Sequence, residues 1–483
     1  MKLLSLSPAL KNMALYGSSI VLMKGVSLFM LPYIANHISQ HELGRLELLS
    51  TFAMILSVIL GLSLHEALYR FAGAEQDPHQ KRRITGEIFT LTMIVGAIAL
   101  PIIWLLSPFI SEWKPEYADT IELELLLMPL AFEGMVAVVL ASLRMREKAQ
   151  LFFYLTTGRA LLQAVLTVIV LYQGYGVTAI LFAGFISAAL QVVVLVYLQT
   201  KQNKKVHGTS YLFNKEMMTL CIPYCLPLMA SGLVAFGLNG FERWILAENT
   251  SFSDLALYAV ALKFALALTL LMQPFCMWWM PKRFDYLQSR GKAITAKMTQ
   301  SSLVLLCGLT VLVCYLAPVL IEWLMPASYQ QAKNIAVALI IVSAIKELNE
   351  LINLGALAEK QTKKLLWINS FATGLGMIAI LVLTPIYGVN GVNGVITSLI
   401  LAQTMRVILT FILSQSAHPL PYSLGKLSVL LLITSVSIAL SLSSFSVGIQ
   451  LMMAGLCTTS VVIFASQLQL ITLPKNEQGE KFL

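Results

Sequence analysis

Apolar runs recur from one end of the chain to the other, each roughly 20 residues long, the length at which an α-helix crosses ~30 Å of hydrocarbon. No long segment alternates with period two, which argues against a β-barrel. The 483 residues are 58% hydrophobic and 12% charged, with a mean hydropathy of +0.78. Soluble chains carry about 25% charged residues. A large core cannot halve that fraction, because a large soluble protein still needs a solvated surface. Length alone suggests about three soluble domains, and the apolar runs overrule it.

Fourteen spans are expected, roughly 12–37, 43–66, 84–106, 121–143, 152–173, 177–199, 217–243, 252–275, 299–323, 331–357, 364–387, 391–413, 425–444 and 447–470. The first, seventh and tenth are long, and Pro32, Pro223 and Pro227 are the expected causes of tilt or kinking. The N-terminal stretch resembles a signal peptide in composition, but its apolar run continues past Lys24 at full length. It therefore reads as a retained helix. All six cysteines fall inside spans. Cys221 and Cys225 share a helix face without further His or Cys ligands nearby, so they read as packing residues. His37, His41 and His65 are scattered near span ends; no metal site and no cofactor is expected.

The net charge of +9 is a matter of topology and requires no nucleic acid. Alternate loops hold Lys2 and Lys11; Lys81, Arg82 and Arg83; Arg144, Arg146 and Lys148; Lys201, Lys204, Lys205 and Lys215; Lys282, Arg283, Arg290, Lys292 and Lys297; Lys360, Lys363 and Lys364; Lys426; and Lys475 and Lys481. The intervening loops hold only Arg45, Lys114, Arg243 and Lys333. By the positive-inside rule both termini are cytoplasmic. No loop is long enough for a catalytic domain, and none carries a Gly-rich phosphate loop. Any driving force must therefore come from ions, membrane potential, a substrate gradient or a partner.

The chain also repeats itself. Tyr175-Gly176-Val177 returns 212 residues later as Tyr387-Gly388-Val389, Glu147-Lys148 as Glu359-Lys360, and Glu42-Leu43 is answered by Asp254-Leu255. Pro108, Glu112 and Trp113 match Pro318, Glu322 and Trp323. The unit is six spans, an even number, so the copies run parallel. The expected fold is all-α: two parallel six-helix lobes, 1–200 and 215–413, facing a cleft, with an appended helix pair at 425–470.

Charges inside spans are costly and default to function. Lys24, Lys263 and Lys346 lie near the middle of spans 1, 8 and 10, and Arg159 in the inner part of span 5. Lys24 and Lys263 have no same-helix acid within one turn. Lys346 has Glu350 one turn on, and Glu133 in span 4 is a further deep acid, so a structural pair competes with a binding role. Arg159 is open to snorkelling or cavity lining. Arg70 and Arg406 sit where a guanidinium can snorkel. Asn239, Asn349 and Asn353 suit either sugar hydroxyls or helix–helix bonds, and Trp278-Trp279 suits an interfacial anchor. The surplus of inner-half cations fits an anionic substrate.

Three segments carry a resemblance: His37-Ile-Ser-Gln-His-Glu-Leu-Gly44, Pro223-Tyr-Cys-Leu-Pro227, and Glu242-Arg243 followed by Leu257-Tyr258-Ala-Val-Ala-Leu-Lys263. With the span count and lobe repeat, the chain resembles the polysaccharide-exporter and flippase group of the multidrug/oligosaccharidyl-lipid/polysaccharide superfamily. The resemblance implies a flippase of the O-antigen type, moving an undecaprenyl-diphosphate-linked oligosaccharide to the periplasmic leaflet of a bacterial inner membrane. It implies membrane lipids as surroundings, and a polysaccharide polymerase and chain-length machinery as partners. Lys24 and Lys263 match essential cations of related flippases, whereas those proteins' span-2 arginines have no counterpart here. The expected binding set is Lys24, Lys263, Arg159, Lys346, Glu133 and Asn239. A drug/cation antiporter of the same superfamily would want acids to dominate the cavity, and a membrane polymerase would want a long outward loop. Reporter fusions at residues 115 and 205 are expected to report opposite sides of the membrane; a single side for both refutes the topology.

Overall fold

The computed structural model of the protein describes residues 8–207, 214–443 and 445–470. Every regular element among them is a helix. The chain divides into two compact units, Met1–Trp244 and Ile245–Leu483. The first holds α1 (Pro8–His37), α2 (Gln40–Gly61), α3 (Leu64–Phe71), α4 (Pro78–Trp113), α5 (Thr120–Leu127), α6 (Glu133–Met145), α7 (Ala149–Tyr172), α8 (Val177–His207) and α9 (Lys215–Phe236), and ends within α10 (Phe241–Asn249). The second holds α11 (Phe252–Ser289), α12 (Gly291–Leu324), α13 (Ala332–Ile352), α14 (Leu354–Ala358), α15 (Thr362–Tyr387), α16 (Gly391–Ala417), α17 (Leu424–Ser441) and α18 (Val447–Gln467).

Among the described residues, thirteen helical stretches are long and apolar enough to cross a membrane. The remaining expected span, 331–357, is occupied by α13 and α14. It stands outside that set because of charge and not for want of apolar residues: α13 carries Lys346, Glu347 and Glu350 within its apolar stretch. The architecture is that of an all-α, multi-pass membrane protein of about fourteen spans.

The helices start where the sequence supplies caps. The Ser39 hydroxyl accepts the Glu42 amide at 3.2 Å, and the Glu42 carboxylate accepts the Ser39 amide at 2.8 Å. Ser251 and Asp254 form the same reciprocal box at 3.1 and 3.2 Å. Each box occupies two of the orphan amides that a helix start leaves. The Glu42/Asp254 repeat is therefore a repeated cap, and the following Leu43 and Leu255 are buried.

Several spans that read as continuous are broken. Span 2 stops at Gly61 and resumes at Leu64, with Leu62 and Ser63 both left-handed, at φ 46° and 50°. Such backbone in an L-residue costs about 1–2 kcal/mol each. The Leu62 amide reaches back to the Ile59 carbonyl at 3.3 Å, and the Cys225 thiol of α9 donates to the Ser63 carbonyl at 3.6 Å. Gly134 lets α6 close on this break, since a Cβ there would sit 3.3 Å from the Leu60 carbonyl oxygen. Span 4 tightens into a 3-10 turn over Met128–Phe132 before α6. Span 7 ends at Phe236, and Asn239 falls in the turn before α10 rather than inside a helix.

None of Pro32, Pro223 and Pro227 breaks its helix; α1 and α9 run through them. A membrane helix tolerates proline where neighbouring groups and local adjustment satisfy the freed carbonyl. The breaks fall instead at residues 62–63, at 237–240 and at Asn353.

In the first unit α9 packs on α2, α3 and α4, and Cys221 and Cys225 join Leu64, Leu68, Ile88 and Val138 in one core. In the second, α17 and α18 pack on α12, where Val311, Leu430 and Val461 are fully buried and the Tyr315 hydroxyl donates to the Ser437 carbonyl at 3.0 Å. Helix α14 docks on α16 through Gly355, whose amide donates to the Ser414 hydroxyl at 2.9 Å. A Cβ at Gly355 would lie 2.3 Å from the Ser414 carbonyl oxygen. Lipid offers no hydrophobic drive between helices, so such close approach is what holds them.

The strain at the span-2 break makes a direct prediction. Ser63→Gly is expected to leave the melting temperature of the detergent-solubilised protein unchanged or raise it, while Ser63→Val lowers stability by ~1–2 kcal/mol. Equal melting of the two variants refutes the left-handed turn.

Candidate substrate site

Lys24 lies on α1, whose main neighbour is α7. The Ser19 hydroxyl meets that of Thr156 on α7 at 2.6 Å. Five residues further along the helix is about 140° round its axis, so Lys24 is turned away from the α7 seam. Its side chain is exposed and has no hydrogen bond or ion pair among the described residues. Glu133 is half-buried at the first position of α6, beside the close approach of Gly134 to α2. Arg159 is tied sideways: its guanidinium donates to Gln191 on α8 at 3.1 Å, and Gln191 in turn donates to the Leu155 carbonyl at 3.4 Å. Asn239 is exposed and donates to the Ala235 carbonyl at 2.8 Å.

In the second unit Lys263 is half-buried on α11, while Lys346 is exposed on α13 one turn before Glu350. The expected set thus falls in two groups, Lys24, Arg159, Glu133 and Asn239 in the first unit and Lys263 and Lys346 in the second.

The structure adds charged groups that the sequence hid. At the first unit's end away from the basic loops, Arg45 pairs with Glu122, which is only 3% exposed. Glu122 also accepts from Thr178 at 2.9 Å, and Arg45 donates to the Tyr117 carbonyl at 3.2 Å. Nearby in sequence to Arg45, Glu47 lies 3.7 Å from Arg243, whose Nε is 3.8 Å from Glu242. Phe52 packs on Trp244 with ring centroids 5.0 Å apart. These groups come from α2, α5, α8 and α10, which sequence spacing does not connect.

In the second unit α11 runs well past its apolar stretch to Ser289. Trp279 is 1% exposed, so it is a core residue and not an interfacial anchor. It packs edge-on against Tyr286 at 5.5 Å. Arg283, on the same stripe, is 8% exposed and donates to the Glu350 carbonyl at 3.2 Å and the Asn353 side chain at 2.9 Å. Burial holds its guanidinium below the ordinary value, with Glu350 opposing. Burial also pushes the Tyr422 phenol, in the segment before α17, up to about 12. The i, i+4, i+7 spacing of Trp279, Arg283 and Tyr286 was the available signal that one helix face stays buried beyond the hydrophobic run.

Residues 9–285 match the family model described as polysaccharide biosynthesis protein. The chain belongs to that family. Its fold is shared with the structure of the lipid II flippase MurJ in an inward closed conformation, at TM-score 0.71 and 14% identity over 95% of this chain and 99% of that one. An inward-facing multidrug resistance MATE family transporter of the MOP superfamily aligns at TM-score 0.62 and 14% identity, over 83% and 94%. A MATE structure in the straight conformation aligns at 0.54 and 16% identity, over 84% and 95%. No curated protein matches the chain in sequence. At such identities the structural likeness establishes the fold, that of MOP-superfamily flippases and transporters.

Glu122→Ala is expected to cost about 3 kcal/mol, because it strips Arg45 and Thr178 of a buried shared partner. Glu122→Gln, which keeps one acceptor, should cost less. Denaturant unfolding of the purified protein checks both, and a neutral Glu122→Ala refutes the pairing.

Proposed function

We propose that this family member is a flippase, not an enzyme, that carries an undecaprenyl-diphosphate-linked oligosaccharide, the repeat unit of an O-antigen or other surface polysaccharide, to the periplasmic leaflet of a bacterial inner membrane. Both termini lie in the cytoplasm, and transport proceeds by alternating access of two six-helix lobes. A polysaccharide polymerase and chain-length machinery receive the product.

The observation that carries this reading is Lys24. It is a mid-span ammonium with no carboxylate partner among the described residues, turned off the helix seam and exposed. Left in lipid it would cost at least ~2.5–3.5 kcal/mol, so its natural surroundings are a watery cavity and an anionic ligand. A diphosphate provides that anion, and an ammonium with three donors suits it. Lys263, mid-span and half-buried on α11, is the second cation of the proposed set. Arg159, Lys346, Glu133 and Asn239 offer polar contacts for the remaining phosphate oxygens and sugar hydroxyls. The similarity to a lipid II flippase and the polysaccharide biosynthesis family support the cargo class.

The MATE-like fold makes a drug antiporter the competing reading, and one experiment separates the two. Lys24→Ala and Lys263→Ala are each expected to abolish surface glycan at normal protein abundance, with Lys24→Arg milder than Lys24→Ala. Normal glycan from both alanine variants refutes the cationic site. Intact glycan in a deletion strain that loses export of organic cations identifies the antiporter.

A further inference from the structure

Two guanidinium groups in the second unit lack what a buried cation needs. Arg283 on α11 is more than nine-tenths buried, and Arg406 on α16 is half-buried. Among the described residues neither has a carboxylate oxygen within 4.0 Å. Arg283 is held by neutral acceptors, the Glu350 carbonyl and the Asn353 amide oxygen; Arg406 by the Thr373 hydroxyl at 3.3 Å. In both, the Nε–H is buried with no acceptor. A guanidinium has five donors in a fixed fork, and these two use a minority of theirs.

The two groups belong to one neighbourhood. Helices α11 and α16 both pack on α13 and touch each other. Glu350, on α13, bears electrostatically on Arg283 and on Arg406 alike. Tyr422 lies within electrostatic reach of Arg283 and packs its ring 6.2 Å from Phe411 of α16. This shared acid is itself turned outward: Glu350 is exposed, and among the described residues its carboxylate accepts only from Asn353, at 3.2 Å. Two guanidinia thus share the field of a carboxylate that contacts neither of them directly and reaches Arg283 only through Asn353. Uncompensated cations in a membrane-embedded bundle are retained where an anion neutralises them. Unfilled forks that can hold two oxygens each select phosphate over a halide.

We propose that Arg283 and Arg406 form a phosphoryl-binding site near the Glu350 end of α13, separate from the mid-span lysines. Its ligand is a phosphate or diphosphate group, received either as a free anion or, if the flippase reading holds, as the headgroup of the lipid-linked cargo.

The test uses full-length protein in nanodiscs of zwitterionic lipid, titrated calorimetrically with inorganic diphosphate and, in a second arm, with farnesyl diphosphate. Wild type is expected to bind. Arg283→Gln and Arg406→Gln are each expected to weaken binding by about tenfold or more, with Arg290→Gln, an exposed residue stacked on Tyr286, as the unaffected control. Arg406→Gln guards against misfolding of the more buried variant, and unchanged melting of either variant certifies it. Binding of both ligands, lost in the variants, supports a site for the phosphoryl group itself. Binding of farnesyl diphosphate alone, lost in the variants, supports the site with a lipid source. No binding by wild type, or unchanged binding by both variants, overturns the proposal. The glycan assay of Lys24→Ala is independent of this outcome, so either idea can fail alone.

Discussion

In hydrocarbon a backbone amide or carbonyl has no water to turn to, and the rest of this structure follows from that constraint. It makes every described regular element a helix. It also sets the terms on which a helix can stop inside the bilayer. At residues 62–63 the chain accepts two left-handed residues, and the carbonyls released there are met by a local turn and the Cys225 thiol, with α6 closing in at Gly134. At Asn353 the break in span 10 is met by Arg283, which donates to the Glu350 carbonyl. These two interruptions are thus each paired with a specific neighbour on another helix.

The same scarcity of polar partners gives charges their meaning. Where the structure supplies a counter-charge, as Glu122 does for Arg45, the pair ties helices together and needs no ligand. Where it supplies only neutral acceptors, as for Arg283 and Arg406, or none among the described residues, as for Lys24, the group keeps a charge with no counter-charge in contact. Charge inside a span is therefore a poor guide by itself. Arg159 proves to be bonded to Gln191 and Lys24 to be turned away from its seam, and neither outcome could be read before their neighbours were known.

Sequence alone determined the all-α membrane class, the span count and the alternation of basic loops. These depend on properties local to each segment: run length, hydropathy and the charge that flanks it. The 212-residue repeat was legible for the same reason, and at Ser39–Glu42 and Ser251–Asp254 it proved to be a helix cap, a device written in four consecutive residues. Only the tertiary structure decided where spans 2 and 10 break, because a break is set by what lies across from it. Only the structure set Trp279 and Arg283 in a core. The hydrophobic run ends before that helix does, and Arg283 is met there by Glu350 and Asn353, the latter 70 residues further along the chain. Pairing and burial are relations between distant residues, and no local pattern in the sequence encodes them.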